Sequence, residues 1–296
     1  MQNKQIKEQI KSKIKAELSN ATKNTYASQI FNTFIRMFPN EETFKPSLFN
    51  IDNIKKHVES LKNINSRKTI YSALMQVVDK KTKEAILPLM LTEINNYKQQ
   101  IEAGVPSKNM ITLKQIKRVF NELKREHGDK LKENRDLSTF ELWGLQKMMV
   151  VATVAGLFVP PRRNEWLLMK IKDIEKDKDN YIDHNKKEFV FNTFKTAKSY
   201  GQQRVPIPDK LYKLLILYIK RKILNSDYLF SQRRGEPFIS ATFSQFLNAI
   251  FKEYGSISSN SFRHAFLTEK YGNTKTLTKD LKNMGTSIKQ LDTYVD

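Results

Sequence analysis

The sequence has no cysteine, which removes disulfides, thiolate nucleophiles and cysteine-based zinc sites together. Histidine is scarce. His57, His127, His184 and His264 stand far apart, with no His-Glu-x-x-His spacing to put two imidazoles on one helix face, so neither a metal site nor a small-molecule cofactor is expected. No apolar run is long: the longest, Met148 to Val159, is too short to span a bilayer. The N-terminus, Met-Gln-Asn-Lys-Gln-Ile-Lys, is polar and has no signal-peptide core. A soluble, intracellular protein without a membrane partner is the expectation. Glycine is missing before Gly104, and little in that first third reads as strand. Internal repeats and low-complexity tracts are absent as well.

Positive charge is what the chain has in excess. Its 52 Lys and Arg against 31 Asp and Glu leave a net +21 and a pI near 9.8. Such an excess calls for a polyanion, and nucleic acid is the commonest, because each neutralised phosphate releases condensed counterions. A membrane surface fits less well, since the basic residues run the whole length and do not gather beside an amphipathic anchor. Structural RNA binders share this balance, so the charge names a polyanion and no chemistry. With 296 residues, 39% of them hydrophobic, two domains are expected.

Two amphipathic helices are legible in the first third. Tyr26, Ile30, Phe34 and Phe38 recur every fourth residue, joined by Phe31 and Ile35, until Pro39 ends the pattern. The second runs from Ser66 to Val78, with Arg67 and Lys68 at its exposed start. Gly104-Val105-Pro106-Ser107 is the linker candidate, and it sets a helical domain at 1–105 and a second domain at 106–296. There, a helix from about Thr112 to Glu126 leads to a charged loop. Ser138-Thr139-Phe140-Glu141 then has capping-box spacing and opens a nearly all-apolar helix, the expected buried centre, with Trp143 in the core. Tyr181–Asp183, Glu188–Phe194 and Gln203–Ile207 read as three short strands. Helical periodicity resumes over Leu211–Ile223, Thr242–Tyr254 and Ser261–Tyr271. The fold class is therefore mainly α with a small antiparallel sheet.

Four segments, in order, carry the chemistry. The first is Ala155-Gly156-Leu157-Phe158-Val159-Pro160-Pro161-Arg162-Arg163-Asn164-Glu165, an apolar helix ending in a turn before Arg-x-x-Glu. The second is Phe194-Lys195-Thr196-Ala197-Lys198 between strands, followed by Val205-Pro206-Ile207-Pro208. The third is Asn260-Ser261-Phe262-Arg263-His264, and the fourth runs from Met284-Gly285-Thr286 to Tyr294. Each alone is weak, but their shared order and spacing resemble the tyrosine recombinase, or phage integrase, family over roughly residues 111–294. The two N-terminal helices further resemble that family's DNA-clamping domain. The resemblance implies a DNA-binding domain at 1–105, a catalytic domain at 106–296, and a site-specific recombinase or integrase that cuts and rejoins double-stranded DNA. It also implies a 3′-phosphotyrosyl intermediate at Tyr294 and a homo-multimer, a tetramer, on paired sites.

The residue types fit that reaction in their own right. Negative charge grows on two non-bridging phosphate oxygens, which paired guanidinium donors on Arg162 and Arg263 suit. A tyrosine ester stores the bond energy needed to reseal the strand. The departing 5′ oxygen needs a proton, for which Lys195 is the choice and Lys198, otherwise a DNA contact, the reserve. Two positions depart from the family pattern. Asn260 stands for the histidine of the third segment and Thr286 for the histidine or tryptophan of the fourth. Both can donate hydrogen bonds to phosphate, but neither can take a proton from Tyr294. His264 reads as structural, hydrogen-bonded to backbone. The lysine-rich stretches near Lys55, Lys80 and Lys117 read as solvated faces or phosphate contacts, as do Arg67 and Lys68. Three other readings stay open: a catalytically weakened DNA-binding relative, a type IB-like topoisomerase, and a basic RNA binder.

Overall fold

The computed structural model describes residues 2–102, 110–195, 197–222 and 226–272. By contacts the chain divides into two units, Met1–Pro106 and Ser107–Asp296. Five helices build the first: α1 (Gln2–Lys13), α2 (Asn20–Met37), α3 (Ile51–Glu59), α4 (Ile64–Leu74) and α5 (Lys80–Glu102). The fourfold recurrence of α2 buries Ile30 and Phe34, and the Phe34 ring meets Phe44 and Phe49 at 5.3 and 6.2 Å. Side-chain caps set the starts: Ser19 Oγ accepts from Thr22 N–H, and Asn50 and Asn53 cap each other's backbone at α3.

Two departures from the sequence pattern have local causes. Helix α4 stops at Leu74, short of Val78, because the N–H groups of Gln76 and Val77 reach back only three residues, to Ala73 and Leu74. Helix α5 continues through Pro88, which by itself reads as a helix end.

The second unit is organised around α7. Capping boxes at Thr112–Gln115 and Ser138–Glu141 open α6 (Leu113–His127) and α7 (Thr139–Val154) where expected. From Gly144 to Val154 every residue of α7 except Lys147 is buried, so it forms the centre of the core. Helix α6 comes so close that a Cβ on Gly144 would lie 2.5 Å from the His127 ring, which leaves room for glycine alone. Trp143 is half-buried, at the rim of a groove and not within the core.

Four strands form the sheet, in the order β1 (Met169–Lys170), β2 (Asn180–Asp183), β3 (Glu188–Phe191), β4 (Gln203–Pro206). The pair β1–β2 is parallel and the rest antiparallel, with Tyr181 opposite Val190 and Phe189 opposite Val205. The short β1 was not legible as a strand, and the Glu165–Leu168 segment after Arg162 is one 3-10 turn feeding it. The short helix α8 (Ala197–Tyr200) lies between β3 and β4. Helices α9 (Asp209–Lys222), α10 (Ser240–Ile250) and α11 (Ser259–Tyr271) complete the described part. Trp166 packs edge-on against Phe189 and Phe191, with ring centres 4.8 and 5.2 Å apart, and so fixes the 3-10 turn to the sheet. Among the described residues, no helix is long and apolar enough to cross a membrane.

Candidate active site

The turn after α7 delivers the first arginine. Gly156 has φ +88°, and a Cβ there would meet Pro161 at 3.2 Å and Phe266 of α11 at 3.3 Å, so a glycine lets the chain double back against α11. Arg162 follows. Its guanidinium carbon lies 4.0 Å from the Phe191 ring centre and 5.2 Å from that of Phe194. Burial pulls its pKa below the usual arginine value, an effect that Glu165 opposes and Arg263 adds to; a guanidinium remains protonated all the same. Among the described residues, Arg162 Nε and Glu165 Oε2 are both buried without a hydrogen-bond partner. Such unpartnered groups beside a cleft are poised to receive one.

The Lys195 turn is held by a buried amide. Asn180, on β2, is 2% exposed. Its Nδ2 donates to the carbonyls of Glu165 and Thr193, at 3.0 and 2.9 Å, and its Oδ1 accepts from the N–H groups of Asn192 and Thr193, at 2.9 and 2.8 Å. This is why β3 ends at Phe191 although its apolar alternation runs on to Phe194: the amide takes the next two N–H groups away from the ladder. The same side chain thereby ties the turn after Arg162 to the turn before Lys195.

Arg263 comes from α11, whose burial of Phe262 and Ala265 fixes which face looks outward. Asn164 joins the elements, donating to Ser240 Oγ of α10 at 3.0 Å and accepting from Ser259 Oγ of α11 at 3.3 Å.

Arg162, Lys195 and Arg263 converge on one pocket of about 270 Å³, together with Arg163, Glu165, Phe194, Tyr200 and Gln203. Four cations face one carboxylate there, an electrostatic environment built for an anion. Asn260 is exposed, one turn before Arg263 on the same helix, and does not line the pocket. Lys198 is exposed on α8. Tyr294 and Thr286 lie outside the described residues. His264 is exposed and, among the described residues, makes no hydrogen bond to backbone, because α11 turns it away from the core. In the first unit, Arg67 donates to the carbonyls of Leu61 and Glu59 and pairs with Glu93, while Lys68 sits over the Tyr97 ring. Arg67 is thus half-buried and committed to joining α3, α4 and α5, not standing free at an exposed helix start.

Sequence reasoning missed Asn180 and Tyr200. Nothing in a strand-initial asparagine announces four backbone partners in two other segments. Tyr200, 70% exposed, reaches the pocket only because the chain reverses at Gly201, φ +65°. Among the described residues no group of three or more His, Asp or Glu comes together.

Residues 146–278 match the model of the phage integrase family. The second unit belongs to that family. The match includes Arg162, Lys195, Asn260 and Arg263 and ends before Thr286 and Tyr294. No curated protein matches the chain. Solved structures similar to it include XerA recombinase, 15% identical over 90% of this chain and 82% of that one, with a TM-score of 0.38. XerH site-specific recombinase bound to difH substrate in a pre-cleavage complex is 15% identical over 86% and 69% of the two chains, with a TM-score of 0.45. Its post-cleavage complex with palindromic difH is 13% identical over 85% and 69%, with a TM-score of 0.48. The integrase-family unit is mainly helical with one small sheet, and its pocket lies between that sheet, the turn after α7, and α11.

Proposed function

We propose that the chain is a site-specific DNA recombinase or integrase that breaks and rejoins double-stranded DNA through a 3′-phosphotyrosyl bond at Tyr294. The observation that carries this is the convergence of Arg162, Lys195 and Arg263, from three separated motifs, on one pocket. The two guanidiniums hold the non-bridging oxygens of the scissile phosphate, and the aromatic contacts of Arg162 keep its fork in one plane. The Tyr294 phenol gives its proton to solvent water, and its oxygen bonds to phosphorus as the bond to the 5′ oxygen breaks. Lys195 gives that oxygen its proton, and resealing runs the same path backward. Thr286 supplies a hydrogen-bond donor to the phosphate, Asn260 one to the DNA backbone beside the pocket, and neither is a base. The helical unit, 1–105, clamps the duplex with Lys68 and other surface lysines, and Lys198 contacts phosphate beside the pocket. Several active sites act together on paired DNA sites as a homo-multimer.

The pocket also presents the Tyr200 phenol, so the test includes both tyrosines. On a nicked suicide duplex the protein forms an SDS-stable adduct that vanishes in Tyr294→Phe and persists in Tyr200→Phe. Loss in Tyr200→Phe alone would move the nucleophile into α8. A gel shift with no adduct under any condition would leave a DNA-binding relative without strand transfer.

A further inference from the structure

A second concavity of the integrase-family unit, about 880 Å³, lies apart from the pocket that holds Arg162. Trp143 and Lys147 of α7, the buried rings of Phe238 and Phe246, and a hairpin with Arg233, Arg234 and one carboxylate, Glu236, line it, so three cations face a single acid. Arg233 sits over the Trp143 ring at 5.2 Å. Neither arginine nor Lys147 has a carboxylate partner among the described residues. Phe140, one helical turn before Trp143, is 74% exposed, so apolar surface continues beyond the groove.

The hairpin that carries the two arginines is fixed with unusual care. Ser231 bridges Pro237 across it, and Gln232 N–H donates to the Glu236 carbonyl at 2.8 Å. At its root, Gln146 donates to the Ser231 carbonyl at 2.8 Å and accepts from Ser231 N–H at 3.0 Å, while Lys222 Nζ donates to Ser231 Oγ at 2.6 Å. Tyr218 donates to Gln146 Oε1 at 3.3 Å. All four of these side chains are at least nine-tenths buried, and none lines the Arg162 pocket. Burying an ammonium and an amide costs stability that hydrogen bonds must offset, and the bonds made here hold the root of the basic hairpin in one geometry.

We propose that this groove docks an acidic segment of a protein partner, its carboxylates on Lys147, Arg233 and Arg234 and one aliphatic or aromatic side chain against Trp143, Phe238 and Phe246. Charge selects the occupant. A phosphate backbone would satisfy the cationic lip but offers no aliphatic or aromatic side chain to the floor of Phe238 and Phe246. A peptide satisfies both the lip and the floor.

The test is an array of acidic nonapeptides, each with a single Leu, Phe or Trp, probed with the purified full chain. Binding is followed in solution by the emission of Trp143, the other tryptophan, Trp166, being 1% exposed. A subset of peptides binds. Affinity falls about tenfold in Lys147→Glu and in Arg234→Glu, and binding is lost when lysines replace the peptide acids or alanine replaces the anchor. Thermal unfolding of the variants matches that of the unaltered chain, both positions being at the surface. Three results would each overturn the proposal: no peptide binds, the variants bind as well as the parent, or the variants lose affinity for duplex DNA while no peptide binds.

Discussion

Asn180 spends both amide hydrogens and both lone pairs on backbone groups of the Glu165 turn and the Asn192–Thr193 segment. At 2% exposure no water can replace it, so removing the amide strands several buried groups at about 1–3 kcal/mol each, less whatever the loop recovers by relaxing. The loss falls on geometry as well as stability, since this amide sets the Lys195 turn against the Arg162 turn. We expect Asn180→Ala to slow covalent adduct formation at saturating DNA by about ten- to a hundredfold, the scale of a misplaced reacting group. Duplex affinity, measured by gel shift, should hold nearly constant, because the surface lysines that grip phosphate are untouched. Asn180→Asp separates the two ties: it keeps the acceptors for Asn192 and Thr193 and loses the donors to Glu165 and Thr193. A rate equal to the parent in both variants would show that the two turns hold their positions without the amide.

The hairpin at 231–237 is held to helix α7 through Gln146 and to helix α9 through Lys222, whose burial pushes its pKa down to about 8. In the unfolded chain a lysine titrates near 10.4. Below pH 8 the ammonium is charged in both states, and folding bears the whole desolvation penalty. Between pH 8 and 10.4 the unfolded chain binds more protons than the native one, so this group makes stability rise with pH. Lys222→Met should therefore be more stable than the parent at pH 7, with the advantage shrinking as pH climbs through that window; denaturant midpoints at pH 7, 8.5 and 10 measure it. An advantage constant with pH would mean the ammonium is not desolvated. Legibility at this scale followed the range of the interaction. The caps of α6 and α7 were readable because a capping box is closed within four residues, and the ordered motifs picked out Arg162, Lys195 and Arg263. What escaped depends on distant partners: β1 is held by Asn180 and Tyr181 on one side and by the Asp227–Leu229 segment on the other, β3 ends early because of an amide a strand away, and Tyr200 enters the pocket through a turn at Gly201. Helix α7 is buried on every side, so it had no polar face to mark its period.

Across the whole molecule the charge of +21 understates the imbalance at the surface, because many of the carboxylates are already engaged. Glu141 is held far below the ordinary carboxylate range by Arg135 and Lys130, while Asp183 and Glu188 share Arg204. Exposed pairs like these add little stability, but they take acidic groups out of competition with phosphate and leave lysines such as Lys55, Lys80 and Lys117 exposed. Contact with about six to ten phosphates would then weaken duplex binding by about 10³- to 10⁵-fold between roughly 50 and 200 mM salt. Chemistry inside the pocket responds differently, because Arg162 is half-buried against Phe191 and Phe194, and partly buried charges are screened less than exposed ones. Adduct yield at low protein concentration should therefore collapse with salt, while the single-turnover rate at saturating protein changes little. Measuring both on one suicide duplex separates the grip from the reaction. If the saturated rate fell as steeply as the affinity, the pocket cations would be acting as open surface charge, and the shielded arginine clamp would be the wrong description of this site.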